Sequence, residues 1–215
     1  MKKYELTSNF KILFGIKVFQ IRALIDFREV KAGDLGGYIE KEDNLSQDGD
    51  AWVYGDARVY GDARVCGDAW VYGDARVYGD ARVCGNARVY GDAWVYGDAR
   101  VFGNAWVCGN ARVYGDARVC GNARVCGNAR VCGNAEVCGN ADFIYLKGLG
   151  TSFRVTTAFR CKDKLIRVKC GCFYGTVEEF KKQVIDTREG RVQAEYLKLA
   201  ELLEIHFDNE ELEKC

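Results

Sequence analysis

The stretch GDARVYGDARVCGDAWVYGDARVY, residues 55–78, repeats one six-residue unit four times. Extended in both directions, the unit divides the chain from Gly49 to Ile144 into sixteen consecutive hexads, nearly all of the form G-[DN]-A-[RWE]-V-[YCF]. In A-x-V the Ala and Val lie on one side of an extended segment and the residue between them on the other. Gly followed by Asp or Asn supplies a corner, because both tolerate a left-handed backbone. Each hexad therefore reads as one short strand and one corner. The period differs from the three residues of collagen and the seven of a coiled coil.

If three corners complete a circuit, a rung holds 18 residues and residues 18 apart stack. The sixth hexad position gives the columns Cys66, Cys84, Phe102, Cys120, Cys138; Tyr60, Tyr78, Tyr96, Tyr114, Cys132; and Tyr54, Tyr72, Tyr90, Cys108, Cys126. The outward strand position gives Arg64, Arg82, Arg100, Arg118, Glu136 on one face. It gives Trp52, Trp70, Arg88, Trp106, Arg124 on a second, and Arg58, Arg76, Trp94, Arg112, Arg130 on the third. Like residues fall together at spacing 18, as a triangular coil requires.

The hexads resemble those of hexapeptide-repeat proteins, and that resemblance implies a left-handed parallel β-helix. The lead-in GDLGGYIEKEDNLS (33–46) and the later CGCFYGTVEEF (170–180) resemble, more closely, hexapeptide-repeat proteins encoded by phages and prophages. Leu35 stands 18 before Val53, while Ile39 and Leu45 stand 12 and 6 before Ala51. The coil is expected to start near Gly33 and run about six rungs. At roughly 4.8 Å per strand, it would be a rod on the order of 30 Å long.

The expected fold is mainly β: a triangular left-handed parallel β-helix over 33–144, with a strand-rich N-terminal cap over 1–32 and a small α+β module over 145–215. In the cap, Phe19, Ile21, Ala23, Ile25 and Phe27 alternate with Gln20, Arg22, Leu24 and Asp26, a half-buried strand that would cover an exposed edge. In the C-terminal module, SFRVTTAFRC and LIRVKCGC flank Lys162-Asp163-Lys164 as a β-hairpin. Thr176-Val-Glu-Glu179 is a capping box opening a helix to about Ile185. A second helix is expected from about Arg191 to Phe207, with Val192, Tyr196, Leu197, Ala200 and Leu203 on one face.

Composition narrows the function. Acidic and basic residues balance at 31 each, without the charge excess that generic nucleic-acid binding uses, so neither nucleic acid nor membrane is an expected partner. The start MKKYELTSNFKILFG lacks a signal-peptide pattern, so the eleven cysteines read as reduced thiols in a bacterial cytoplasm. The hexapeptide-repeat resemblance implies, as one option, an acyltransferase with a histidine general base. The coil has no histidine, and His206 on the final helix is the one candidate.

Corner aspartates a rung apart do not converge as calcium requires. Cys161, Cys170 and Cys172 could approach one another, yet they lack a fourth zinc ligand. No metal or cofactor is expected.

The outer faces carry the chemistry instead. Arginines beside aromatic rings allow cation–π stacking and offer donors to a phosphate or carboxylate. Candidate binding residues are Trp52, Trp70, Trp94 and Trp106, with Arg64, Arg82, Arg100 and Arg118. Exposed tryptophan favours interfaces. The expectation is a non-enzymatic binding or scaffold protein, a homodimer or homotrimer, contacting a host protein or a small anionic ligand. A purely structural rod is disfavoured because the outer columns lack regular threonine arrays.

Overall fold

A computed structural model describes residues 2–208. Residues 209–215 of the expected C-terminal module lie outside the described residues. A hairpin of β1 (Tyr4–Leu13) and β2 (Ile16–Ala23) leads to β3 (Leu35–Ile39). Fifteen two-residue strands follow, β4 (Trp52–Val53) to β18 (Glu136–Val137). The chain ends in β19 (Phe143–Leu149), β20 (Arg154–Arg160), β21 (Ile166–Cys170), β22 (Phe173–Thr176), α1 (Val177–Thr187) and α2 (Gly190–Phe207).

The short strands assemble into three parallel faces in which partners stand 18 residues apart: Trp52 pairs with Trp70, Arg64 with Arg82, Arg58 with Arg76. The result is a β-solenoid of about six turns. Every Ala and Val of the A-x-V pattern from Ala51 to Val137 points inward and is fully buried. Each corner glycine from Gly49 to Gly133 has a positive φ, for example +71° at Gly79. A Cβ on Gly79 would also stand 3.0 Å from the backbone nitrogen of Gly97 in the next rung. Conformation and clearance therefore both demand glycine.

The backbone ladder alternates between its two neighbours. The outward residue and the residue after Val donate to carbonyls of the following rung, as in Trp52 N to Ala69 O (3.0 Å) and Tyr54 N to Val71 O (2.8 Å), while the inward Val between them pairs back to the preceding rung, as Val71 does with Val53. At each end of the stack, backbone N–H and C=O groups meet no further rung, and unmet buried polar groups are costly. Donors cap the first end. Lys3 Nζ donates to the carbonyls of Gly49 (3.1 Å) and Ala51 (3.0 Å), and Asn44 Nδ2 donates to those of Gly61 (3.0 Å) and Ala63 (2.8 Å). On the third face, Tyr38 N donates to Ala57 O (2.9 Å).

Acceptors cap the last end. Arg130 N donates to Thr157 Oγ1 (3.0 Å), Arg124 N to Asn140 Oδ1 (2.9 Å), and the Cys138 and Gly139 N–H groups to Asp142 Oδ2 (2.9 and 2.8 Å).

The lead-in differs from the expected register. Ile39 pairs with Val59 and Leu45 bridges Val65, both 20 residues apart instead of 18. The corner at 46–50 holds two more residues than a hexad corner, so Ile39 and Leu45 stack on the Val column and not on the Ala column. Leu35 is 58% exposed and pairs antiparallel with Arg22, so it does not belong to an inward column. In the hairpin, Ile21 and Ala23 are buried on one side and Val18 on the other, against Tyr38 and Tyr60.

At the C-terminal end, the expected hairpin is the centre of a four-stranded antiparallel sheet ordered β19-β20-β21-β22. The capping box is present: Glu179 N donates to Thr176 Oγ1 (3.2 Å) and Thr176 N to Glu179 Oε2 (2.8 Å). Helices α1 and α2 cover one face of the sheet through Phe180, Val184, Tyr196, Leu199 and Leu203.

Two predictions follow from the caps. Asn44 is fully buried, with its amide also accepting from the Glu40 and Lys41 N–H groups. Replacing it by Leu should cost about 3 kcal/mol or more, read as a lower urea midpoint at unchanged slope. Burial lowers the Lys3 pKa from its ordinary 10.5 to about 8, against the opposing pull of Asp50, Asp48 and Asp68. Between those values the unfolded chain binds more protons than the folded one, so this group's contribution to stability rises with pH. The stability of the native chain relative to Lys3→Met should therefore climb between pH 8 and 10.5, and the Lys3 13Cε resonance should titrate near pH 8.

Candidate functional site: the outer faces and the C-terminal cavity

The outward strand positions form three continuous columns because consecutive rungs repeat at one strand spacing. On one face, Trp70 and Trp106 flank Arg88, whose guanidinium carbon lies 5.7 and 5.4 Å from the two ring centroids. Arg124 covers the other side of Trp106 at 4.4 Å. On a second face, Trp94 is held between Arg76 (4.9 Å) and Arg112 (4.6 Å). These stacks leave Arg76 Nε and Trp70 Nε1 buried without a hydrogen bond. A guanidinium lying over an aromatic ring directs its charge at the π-cloud and not at an acceptor.

Beside them, Tyr60, Tyr78, Tyr96 and Tyr114 stack at 5.0 Å with ring planes within 3° of parallel. Burial is the main cause that pushes the Tyr78 phenol up to about 12, so it is a neutral hydroxyl near neutral pH.

The third face has no tryptophan. Arg64, Arg82 and Arg100 are exposed and lie in strict register, and Arg118 reaches Glu136 at 4.0 Å. This is the most open cationic column of the molecule.

Trp52 corrects the expectation of four exposed tryptophans. It is 1% exposed, packed edge-on by Tyr4 (6.1 Å) and Phe27 (5.3 Å) from the N-terminal cap. Trp70, Trp94 and Trp106 are half-buried between their neighbours. His206 sits on α2 with its ring against Phe207 (4.7 Å) and its Nε2 buried without a hydrogen-bond partner among the described residues.

The structure does not bring the three hairpin cysteines together as a ligand set. Cys161 is buried where the module meets Ala135 of the last rung, and burial pushes its thiol pKa up. Cys170 accepts from Thr156 Oγ1 at 3.2 Å, while Cys172 is exposed in the β21–β22 turn. Among the described residues no group of three or more His, Cys, Asp or Glu side chains is arranged to hold a metal ion.

The coil cysteines correct a second expectation. Cys66–Cys84, Cys108–Cys126 and Cys120–Cys138 are disulfide-bonded, where free thiols are expected from the sequence. The cause is the rung itself. Residues 18 apart have Cα atoms 4.7, 4.6 and 4.3 Å apart in these pairs, close to the short end of the span that a disulfide bridges. Cys132, below Tyr114 in its column, stays free.

A cavity of about 310 Å³ lies between the four-stranded sheet and the two helices. Arg154, Arg188, Phe173, Phe180 and Tyr196 are among its walls. None of these five was singled out as a site residue from the sequence. They come from β20, β22, both helices and the junction between the helices, and the sole local signal is a glycine in each adjoining turn, Gly150 and Gly171.

Comparison with known proteins agrees with the coil. The family described as YdcK Beta solenoid repeat matches residues 51–67, 57–73, 63–79, 69–84, 81–97, 93–109, 105–121 and 117–139. The chain is similar, at 34% identity over 62 residues, to the Escherichia coli (strain K12) protein described as "Uncharacterized acetyltransferase YdcK". That stretch is 25% of this chain and spans 19% of the relative's length. The molecule is a β-solenoid repeat protein whose repeats are similar to those of that family.

The disulfide assignment is directly measurable. Free-thiol titration of the oxidised protein in guanidinium should rise by six equivalents after reduction, two for each of the three bridges. Reduction should lower stability by up to about 3 kcal/mol per bridge, given loops of 18 residues.

Proposed function

We propose that this chain is a non-enzymatic binding or scaffold protein of phage or prophage type, whose left-handed solenoid presents arginine-rich faces to a host component and sequesters or blocks it. The observation that carries this reading is the exposed, in-register column Arg64, Arg82 and Arg100 beside faces on which arginine and tryptophan are locked together. A rigid array of donors forfeits little side-chain entropy when an anionic surface docks on it. The phage-type assignment and the handedness rest on the hexapeptide-repeat resemblance, including residues 33–46 and 170–180. In this reading the working form is a homodimer or homotrimer in the bacterial cytoplasm, whose reducing conditions open the coil bridges to thiol pairs, and residues 1–32, 33–144 and 145–215 act as cap, binding coil and terminal module.

A second reading, acyl transfer, is favoured by the similarity to a protein described as an acetyltransferase. It would have to use His206, whose imidazole packs on Phe207 with Nε2 unpartnered. A general base instead needs hydrogen-bond reach to the proton it abstracts.

Native mass spectrometry of the full chain purified from bacterial cytosol tests the two together with a chromatographic assay for release of CoA from acetyl-CoA. The binding reading expects a dimer or trimer with a bound partner that Arg64→Glu/Arg82→Glu/Arg100→Glu loses, and no enzymatic release of CoA. A partner-free monomer at all concentrations, or CoA release abolished by His206→Ala, would replace it.

A further inference from the structure

The cavity of the C-terminal module has a chemistry that the solenoid faces do not share. Its walls combine two guanidinium groups with an apolar lining, and no Asp or Glu is among the lining residues. At about 310 Å³ it sits at the lower end of the roughly 300–1,000 Å³ that small-molecule clefts occupy. Arg154 and Arg188 form no ion pair among the described residues. Glu195 on α2 is engaged elsewhere, accepting from Gly150 N (2.9 Å) and facing Arg191 (3.5 Å), while Asp186 and Glu189 line a neighbouring groove with Arg188.

The walls are seated by the backbone. Gly171, at φ +58°, leaves room for the Arg154 guanidinium, whose Nη1 would stand 2.6 Å from any Cβ placed there. Gly150, at φ +67°, does the same for the Tyr196 hydroxyl, 2.9 Å from such a Cβ. The Tyr196 hydroxyl reaches Leu149 O at 3.4 Å. Arg188 follows the last turn of α1, held there by its own N–H to Val184 O (2.9 Å) and by Gln193 Nε2 donating to its carbonyl (2.7 Å). Arg154, Arg188 and Tyr196 all line the cavity, and the buried Phe180 packs edge-on to Tyr196 at 5.8 Å.

Two cations without an ion pair among the described residues, in a cavity whose other walls include aromatic and aliphatic side chains, match a ligand with the complementary halves. We propose that this cavity binds a small organic anion, a carboxylate or phosphate carried on an apolar body, with Arg154 and Arg188 holding the charge and Phe173, Phe180 and Tyr196 enclosing the apolar part. The site is separate from the arginine column of the solenoid and goes beyond the reading given for it.

Calorimetric titration of the full chain with phenylacetate and with phenyl phosphate tests this, with benzyl alcohol and inorganic phosphate as half-matched probes. Saturable binding of at least one aryl anion is expected, and whether the carboxylate or the phosphate binds more tightly identifies the headgroup. Benzyl alcohol and inorganic phosphate should each bind at least about tenfold more weakly, since each lacks one half of the match. Arg188→Ala, at an exposed position, should weaken the aryl anion roughly tenfold or more at an unchanged circular dichroism spectrum. Arg154→Lys serves for β20, where truncation beside Gly171 risks the fold, and should weaken it as well because the planar fork is lost. Arg100→Ala on the solenoid should leave binding unchanged, which separates this site from the face reading. Bound aryl anion should also slow alkylation of the exposed Cys172 on the cavity wall.

No saturable binding of either aryl anion, equal affinity for inorganic phosphate, or affinity indifferent to both arginine variants would overturn the proposal.

Discussion

Everything in this molecule depends on one interaction, the parallel backbone ladder that joins each rung to the next. Because the rungs stack in a line, the solenoid has two ends whose backbone groups meet no further rung. Those groups must be met by other parts of the chain. Lys3 and Asn44 supply donors to carbonyls at one end, and Thr157, Asn140 and Asp142 supply acceptors to N–H groups at the other. A buried lysine is ordinarily a liability. Here it is kept because its ammonium offers several donors to carbonyls that no backbone group reaches.

The same stacking decides what happens on the outside. A spacing of one strand per rung puts identical side chains at near-contact distance along every column, and each residue type settles that proximity in its own way. Tyrosines stack face to face, cysteines bond in pairs, and arginines and tryptophans interleave. A column of arginines alone has no such solution, so on the third face the guanidiniums extend into solvent. That unresolved column is what the proposed binding function rests on. The cavity of the C-terminal module is a second place where cations lack partners, for a different reason: two turns and two helices converge there without contributing a carboxylate.

Much of the coil was legible in the residues. Hexad alternation placed every Ala and Val inside, spacing 18 placed the columns, and Thr176 with Glu179 marked the start of α1. The departures have separate causes. Ile39 and Leu45 fall on the Ala column at period 18, but the corner after Leu45 is two residues longer than the others, and counting cannot reveal where extra residues bulge; Leu35 instead pairs with Arg22 in the N-terminal sheet. Trp52 looked like its column mates Trp70 and Trp106, yet Tyr4 and Phe27 arrive from elsewhere in the chain to bury it. For the cysteines the two signals point apart: the compartment implies thiols, while the rung sets residues 18 apart within bonding reach.

The sequence by itself determined the rung, the inward and outward sides and the order of side chains along each column. Those properties are local: alternation and glycine corners act within six residues and repeat. The tertiary structure alone decided which outward residues stay free, which donors close the ends and where a cavity opens. Those outcomes depend on segments far apart in the chain, such as Lys3 on Ala51 or Arg154 over Gly171, meeting through packing that no periodic pattern encodes.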